Sequence, residues 1–141
     1  MFRLGTIMIA ALLLAAPANG HESEAAPPPK AEKPAVPIKI YQTKRGTILA
    51  DSRGMTLYYF DRDDTGNKSN CDGKCTEEWI PLAASDDAKA LGDFTVIIRS
   101  DHRKMWAYRY RPLYTSHEDT APGDTNGFDP LNHWHIARPA N

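Results

Sequence analysis

"TLYYFDRD", residues 56–63, returns as "PLYTSHED", residues 112–119, so that Leu57-Tyr58 matches Leu113-Tyr114 and Asp63 matches Asp119 at an offset of 56. Trp79 then matches Trp134 at an offset of 55, with a glycine- and aspartate-rich turn before each. Each copy runs strand, hairpin, Leu-Tyr strand, acidic loop and Trp segment over roughly 55 residues. A unit that small can hardly bury its own apolar face, so the two copies are expected to share one core. Leu57, Trp79, Leu113 and Trp134 are its repeated anchors. On a strand, Tyr58 and Phe60 share one face while Tyr59 and Asp61 point the other way. Leu57 alternates with Tyr58, and apolar bulk on both faces predicts a central strand.

Outward from these stretches, alternating segments at 47–51, 56–61, 94–100, 104–110, 112–116 and 133–137 predict strands. Only "CTEEW" (75–79) and "SDDAKAL" (85–91) look helical, each for a turn or two. The expected fold is mainly β: two pseudo-symmetric repeats, about 46–83 and 94–139, in one β-sandwich or open barrel with one or two short helices. That single domain spans residues 38–141.

The N-terminal stretch sets the compartment. Arg3 is the only charge in the first twenty residues, and the ten-residue run "IMIAALLLAA" (7–16) is followed by Ala16-Pro17-Ala18. Residues 1–18 have the build of a cleaved secretory signal peptide, and the run is too short to span a bilayer. No cysteine follows it to carry a lipid anchor. Residues 19–37 are Pro, Ala, Glu and Lys with almost nothing to bury, which predicts a disordered linker. The protein is expected in the periplasm or medium. With 17 basic and 18 acidic residues, no charge excess draws it to nucleic acid.

Two cysteines in an exported chain most often pair, and Asp-Gly-Lys between Cys71 and Cys75 permits a tight disulfide ring. Thr76 after the second cysteine excludes c-type haem attachment. A thiol redox protein on this pair is a third-ranked reading.

Tyr58-x-Phe60-x-x-Asp63, with its weaker echo Tyr114-x-Ser116-x-x-Asp119, resembles the motif of a bacterial family of secreted tandem repeats, mostly predicted lipoproteins. The same resemblance takes in Gly46 to Asp51, Gly54 to Tyr58, Cys71 and Cys75, "WIPL" (79–82), "RPLY" (111–114) and "PGDTNG" (122–127). It implies an exported module without established biochemical function and brings no catalytic residues with it. Two departures stand out. The lipoprotein cysteine is missing, and Ser116 replaces an aromatic, so the two copies are no longer equivalent.

Three chemistries remain to be weighed. Asp63, just past its strand, is placed to accept hydrogen bonds from loop N–H groups and tie the turn. Asp61, Asp63, Thr65, Gly66, Ser69 and Asp72 fall at positions 1, 3, 5, 6, 9 and 12 of a calcium-loop pattern, although Asp72 is shorter than the usual glutamate. His133 and His135 share the strand face opposite Trp134 and Ile136, and such a pair can chelate copper or zinc, with His117 as a third ligand. No glycine-flanked nucleophile, phosphate loop or HExxH occurs. The leading reading is a non-enzymatic binding or envelope-associated module, with an envelope protein or small ligand as partner and no cofactor expected. A divalent-metal-binding protein is the alternative.

Overall fold

Each copy opens on a β-hairpin. In the first, β1 (Ile38–Thr43) pairs antiparallel with β2 (Gly46–Asp51) across the Lys44-Arg45 turn, where Gly46 takes a positive φ of 91°. The computed structural model describes residues 36–63 and 68–141. The expected signal peptide and all but the end of the expected linker lie outside these residues, as do Thr65 and Gly66 of the acidic loop. β1 extends the first copy upstream of the strand expected at 47–51. It leaves Ile40 and Tyr41 exposed, while β2 is buried from Ile48 onward. In the second copy the hairpin is β5 (Phe94–Ile98) with β6 (Lys104–Tyr108), and β7 (Arg111–Pro112) adds to β6.

The remaining strands interlace the copies. β3 (Tyr58–Phe60), β4 (Trp79–Pro81), β8 (Tyr114–Ser116) and β9 (Trp134–Ile136) form an antiparallel sheet of order β4-β8-β3-β9. The two Leu-Tyr strands meet at its centre, with Tyr58 opposite Tyr114. Each Trp strand pairs with the Tyr strand of the other copy: Trp79 faces Ser116, and Trp134 faces Phe60. Central placement explains why both faces of these strands are apolar. Tyr58, Tyr114, Leu57 and Leu113 are all fully buried. One apolar cluster gathers Tyr58, Cys71 and Trp79 with Met105, Tyr114 and Trp134, so both copies build it, and Leu57 and Leu113 join a second cluster. Both clusters thus draw on both copies, which share one core.

Among the described residues the strands make three sheets and no closed barrel. The one helix among the described residues is α1 (Cys75–Glu78). "SDDAKAL" is not a second helix: it holds a turn closed by Ala88 N–H to the Ser85 carbonyl, and Lys104 Nζ donates to the Asp86 carbonyl. Seven residues supply too few helical bonds to offset nucleation when the backbone is offered other partners.

Candidate functional site

The repeated Tyr and Asp meet across copies. Tyr58 Oη donates to Asp119 Oδ2 at 2.9 Å, and Tyr114 Oη donates to Asp63 Oδ2 at 2.8 Å. Each carboxylate then ties its own loop. Asn70 N–H donates to Asp63 Oδ1 and Asn126 N–H to Asp119 Oδ1, both at 2.7 Å. The two asparagine amides repeat the symmetry, reaching the carbonyls of Arg62 and Glu118. Burial pushes both phenols well above their ordinary range, with the neighbouring carboxylate adding to the effect at Tyr58, so the hydroxyls remain donors. Burial likewise raises the Asp63 and Asp119 carboxyls. Asn70 and Asn126 escaped the sequence reading, although both stand seven residues after the repeated aspartate.

An arginine braces each loop from the other copy. Arg99, almost wholly buried, donates to Ser69 Oγ at 3.2 Å and to the Cys71 carbonyl at 3.1 Å, and pairs with Asp72 at 3.0 Å. Arg45 donates to Thr125 Oγ1 at 3.1 Å and lies 4.6 Å over the Phe128 ring. Thr125 and Phe128 stand 56 residues after Ser69 and Asp72, so the braces correspond. Cys71 and Cys75 are joined in a disulfide within the first loop.

The calcium-loop acids face different partners. Asp61 turns to the histidines, Asp63 to Tyr114 and Asn70, and Asp72 to Arg99. His133 Nδ1 lies 2.9 Å from Asp61 Oδ1, and His135 Nε2 lies 3.1 Å from Asp61 Oδ2. Hydrogen bonding from His135, followed by the charge of His133, holds the Asp61 carboxyl below its usual value. His117 is not beside this pair; it follows β8, which β3 separates from β9. Among the described residues no group of three or more His, Cys, Asp or Glu is arranged to hold a metal ion.

The copies diverge at the tryptophans. Trp79 and Trp134 stack with ring centres 4.0 Å apart, each met edge-on by the Tyr of its own copy. Phe60 stacks on Trp134 at 4.5 Å. The equivalent position opposite Trp79 holds Ser116, and the position equivalent to Cys71 holds Gly127. A Cβ on Gly127 would stand 2.6 Å from Ser116 Oγ and 2.9 Å from Trp79 Cη2, so only glycine lets the loop lie this close. Beside these small residues is a cavity of about 650 Å³, lined by Trp79, Ser116, His117, Asn126, Gly127 and Trp134, with Glu78, Glu118 and Asp129 at its wall. Its edge mirrors the histidine cluster: His117 N–H donates to the Glu78 carbonyl at 2.8 Å, as Asp61 N–H does to the His133 carbonyl at 2.9 Å. The missing aromatic was legible as Ser116; that Gly127 would pack against it, and that both would line a cavity, rested on the pairing of β8 with β4.

A family model described as a secreted repeat of unknown function matches twice, over residues 39–83 and 95–138. These matches follow the two structural copies, and the first begins within β1. No curated protein and no solved structure matches the chain.

Proposed function

This chain belongs to a family of secreted repeats of unknown function, and from that premise we propose that it is an exported, non-enzymatic binding module whose small-molecule site is the cavity of the second copy. In this reading residues 1–18 are removed on export, residues 19–37 space residues 38–141 from other envelope components, and the protein works in the periplasm or medium. The observation that carries it is the asymmetry of an otherwise matched pair. Phe60 and Cys71 supply bulk in the first copy, whereas in the second Ser116 and Gly127 pack directly against each other and line a cavity of about 650 Å³. That volume suits a small organic ligand, and its wall combines indole edges with amide and carboxylate groups that could orient one.

Native mass spectrometry of protein recovered from its own export compartment tests the proposal. A bound small molecule on the wild type, lost in Ser116→Phe and weakened in His117→Ala with Glu118→Ala, is the expected result. The second variant changes only exposed side chains and guards against a folding defect in the first. Equal recovery of the molecule on all three proteins, or none on any, overturns the assignment.

A second reading is favoured by one observation: Asp61 holds both imidazoles in a single exposed cluster. In that reading Cu(II) or Zn(II) binds His133 and His135 after displacing the Asp61 bonds. Binding is then tighter at pH 7.5 than at pH 5.5, because each imidazole must lose its proton. Titration of His133→Ala with either metal should show most of the affinity gone; unchanged affinity in a variant lacking both histidines excludes the site.

A further inference from the structure

A different cavity, of about 300 Å³, lies between the turn joining β6 to β7 and the segment after β9. Arg109, Arg111 and Arg138 line it together with Tyr59 and Tyr108, and among the described residues no carboxylate side chain does. The whole chain carries a formal net charge of −1, so this gathering of cations does not follow from composition. Among the described residues none of the three arginines forms an ion pair.

The arginines are also held in place. Arg111 lies 4.4 Å over the Tyr59 ring, and Arg138 Nη1 donates to the Thr47 carbonyl at 2.9 Å. Arg109 stands in a two-residue turn in which it and Tyr110 both adopt left-handed backbone, at φ 48° and 66°. Non-glycine residues rarely adopt that conformation, and the Arg109 N–H bond to the Asp93 carbonyl at 2.8 Å helps to hold it. Tyr108 Oη already accepts the Ala140 N–H at 2.8 Å, which leaves its own proton available to an acceptor.

We propose that this cavity is an oxyanion site, taking a carboxylate or phosphate group of a small ligand. Guanidinium forks match the paired oxygens of either group, and the tyrosine hydroxyl supplies a further donor. The cations are exposed, so water weakens each contact, and a dissociation constant on the order of millimolar is expected. The site is separate from the cavity of the second copy and stands whether or not that cavity binds a ligand.

Calorimetric titration of the intact protein with inorganic phosphate and with succinate, at low ionic strength and with chloride as control, tests it. Saturable binding of either anion, weakened about tenfold or more by Arg109→Gln with Arg111→Gln and screened by added sodium chloride, supports the site. Binding of both anions assigns the shared oxyanion chemistry; binding of one identifies the preferred group. Arg103→Gln, which alters an exposed arginine elsewhere, should leave the affinity unchanged. Arg109→Gln alone, checked by its melt, serves if the double variant unfolds. Equal affinity in wild type and arginine variants, or no saturation up to about ten times the millimolar range, overturns the proposal.

Discussion

Tyr58 and Tyr114 each give a buried hydroxyl proton to a carboxylate of the other copy. Tyr58→Phe would leave Asp119 desolvated with one partner fewer, at a cost of about 1.5–3 kcal/mol, and Tyr114→Phe should cost a similar amount. Denaturant melts of a double-mutant cycle test the exchange of partners. Tyr58→Phe with Asp119→Asn should be non-additive by about 1 kcal/mol or more, whereas Tyr58→Phe with Asp63→Asn should add. The reverse pattern would mean that each Tyr serves its own copy. Acid and alkali probe the same clasps. Because the folded phenols titrate above the ordinary value of 10.0, their contribution is whole below pH 10 and is lost as pH rises beyond it. Asp63 and Asp119 are also raised, so their contribution is greatest below 3.8 and fades as pH climbs through the window just above it. Asp61, Asp101 and Asp124 are lowered and act oppositely, losing their contribution as pH falls below 3.8. Urea midpoints taken across pH should therefore show less alkaline loss in the two Phe variants and a flatter response just above pH 3.8 in Asp63→Asn.

At the scale of elements, the two acidic loops reach similar ends by different means. The first is closed by a disulfide and by Arg99, which contacts Ser69, Cys71 and Asp72; the second has Arg45, Gly127 and the Asp124 carboxylate, which caps the Thr120 and Ala121 N–H groups. A five-residue ring removes little chain entropy, so Cys71→Ser with Cys75→Ser should leave a folded protein destabilised by no more than about 2–3 kcal/mol. Arg99→Leu should do more harm, because it strands the buried Cys71 carbonyl at about 1–3 kcal/mol, takes a donor from Ser69, which keeps its bond to Tyr114, and breaks the pair with Asp72. Chemical denaturation of the two variants side by side checks the order; a cysteine variant that fails to fold would reverse it. The first loop also carries the calcium pattern. With Asp63 and Asp72 already engaged by protein donors, any calcium affinity should sit on the order of 10⁻⁴–10⁻³ M. Calorimetry showing micromolar binding that Asp61→Asn abolishes would replace the hydrogen-bonded turn with a metal loop.

For the molecule as a whole, interlacing makes the copies interdependent. A chain ending at Asp101 lacks β8 and β9, the two neighbours of β3, along with Met105, Tyr114, Trp134 and Ile136 of the main cluster. It should stay unfolded or aggregate, since the surviving Tyr58 and Trp79 would face water. A sharp, reversible melt of residues 38–101 alone would show that the first copy has a sufficient core of its own.

What the sequence by itself determined is local in origin. Period-two alternation marked most strands, apolar residues on both faces placed the Leu-Tyr strands at the centre, and the recurrence of Leu, Tyr, Asp and Trp disclosed two copies with one core. Side chains on a strand obey that alternation whatever the strand pairs with, so the pattern survives in one dimension. Pairing does not. Tyr58 lies five residues from Asp63 in the chain and bonds Asp119 instead, because β3 and β8 lie side by side and carry each phenol to the other copy's loop. The same nonlocal pairing brought Ser116 opposite Trp79, set Gly127 tightly against both, and placed these residues on the wall of a cavity. Arg45 and Arg99 became loop braces, and Arg109, Arg111 and Arg138 became one cationic wall, for the same reason. Their partners are fixed by which strands share the core, and that choice belongs to long-range packing rather than to neighbouring residues.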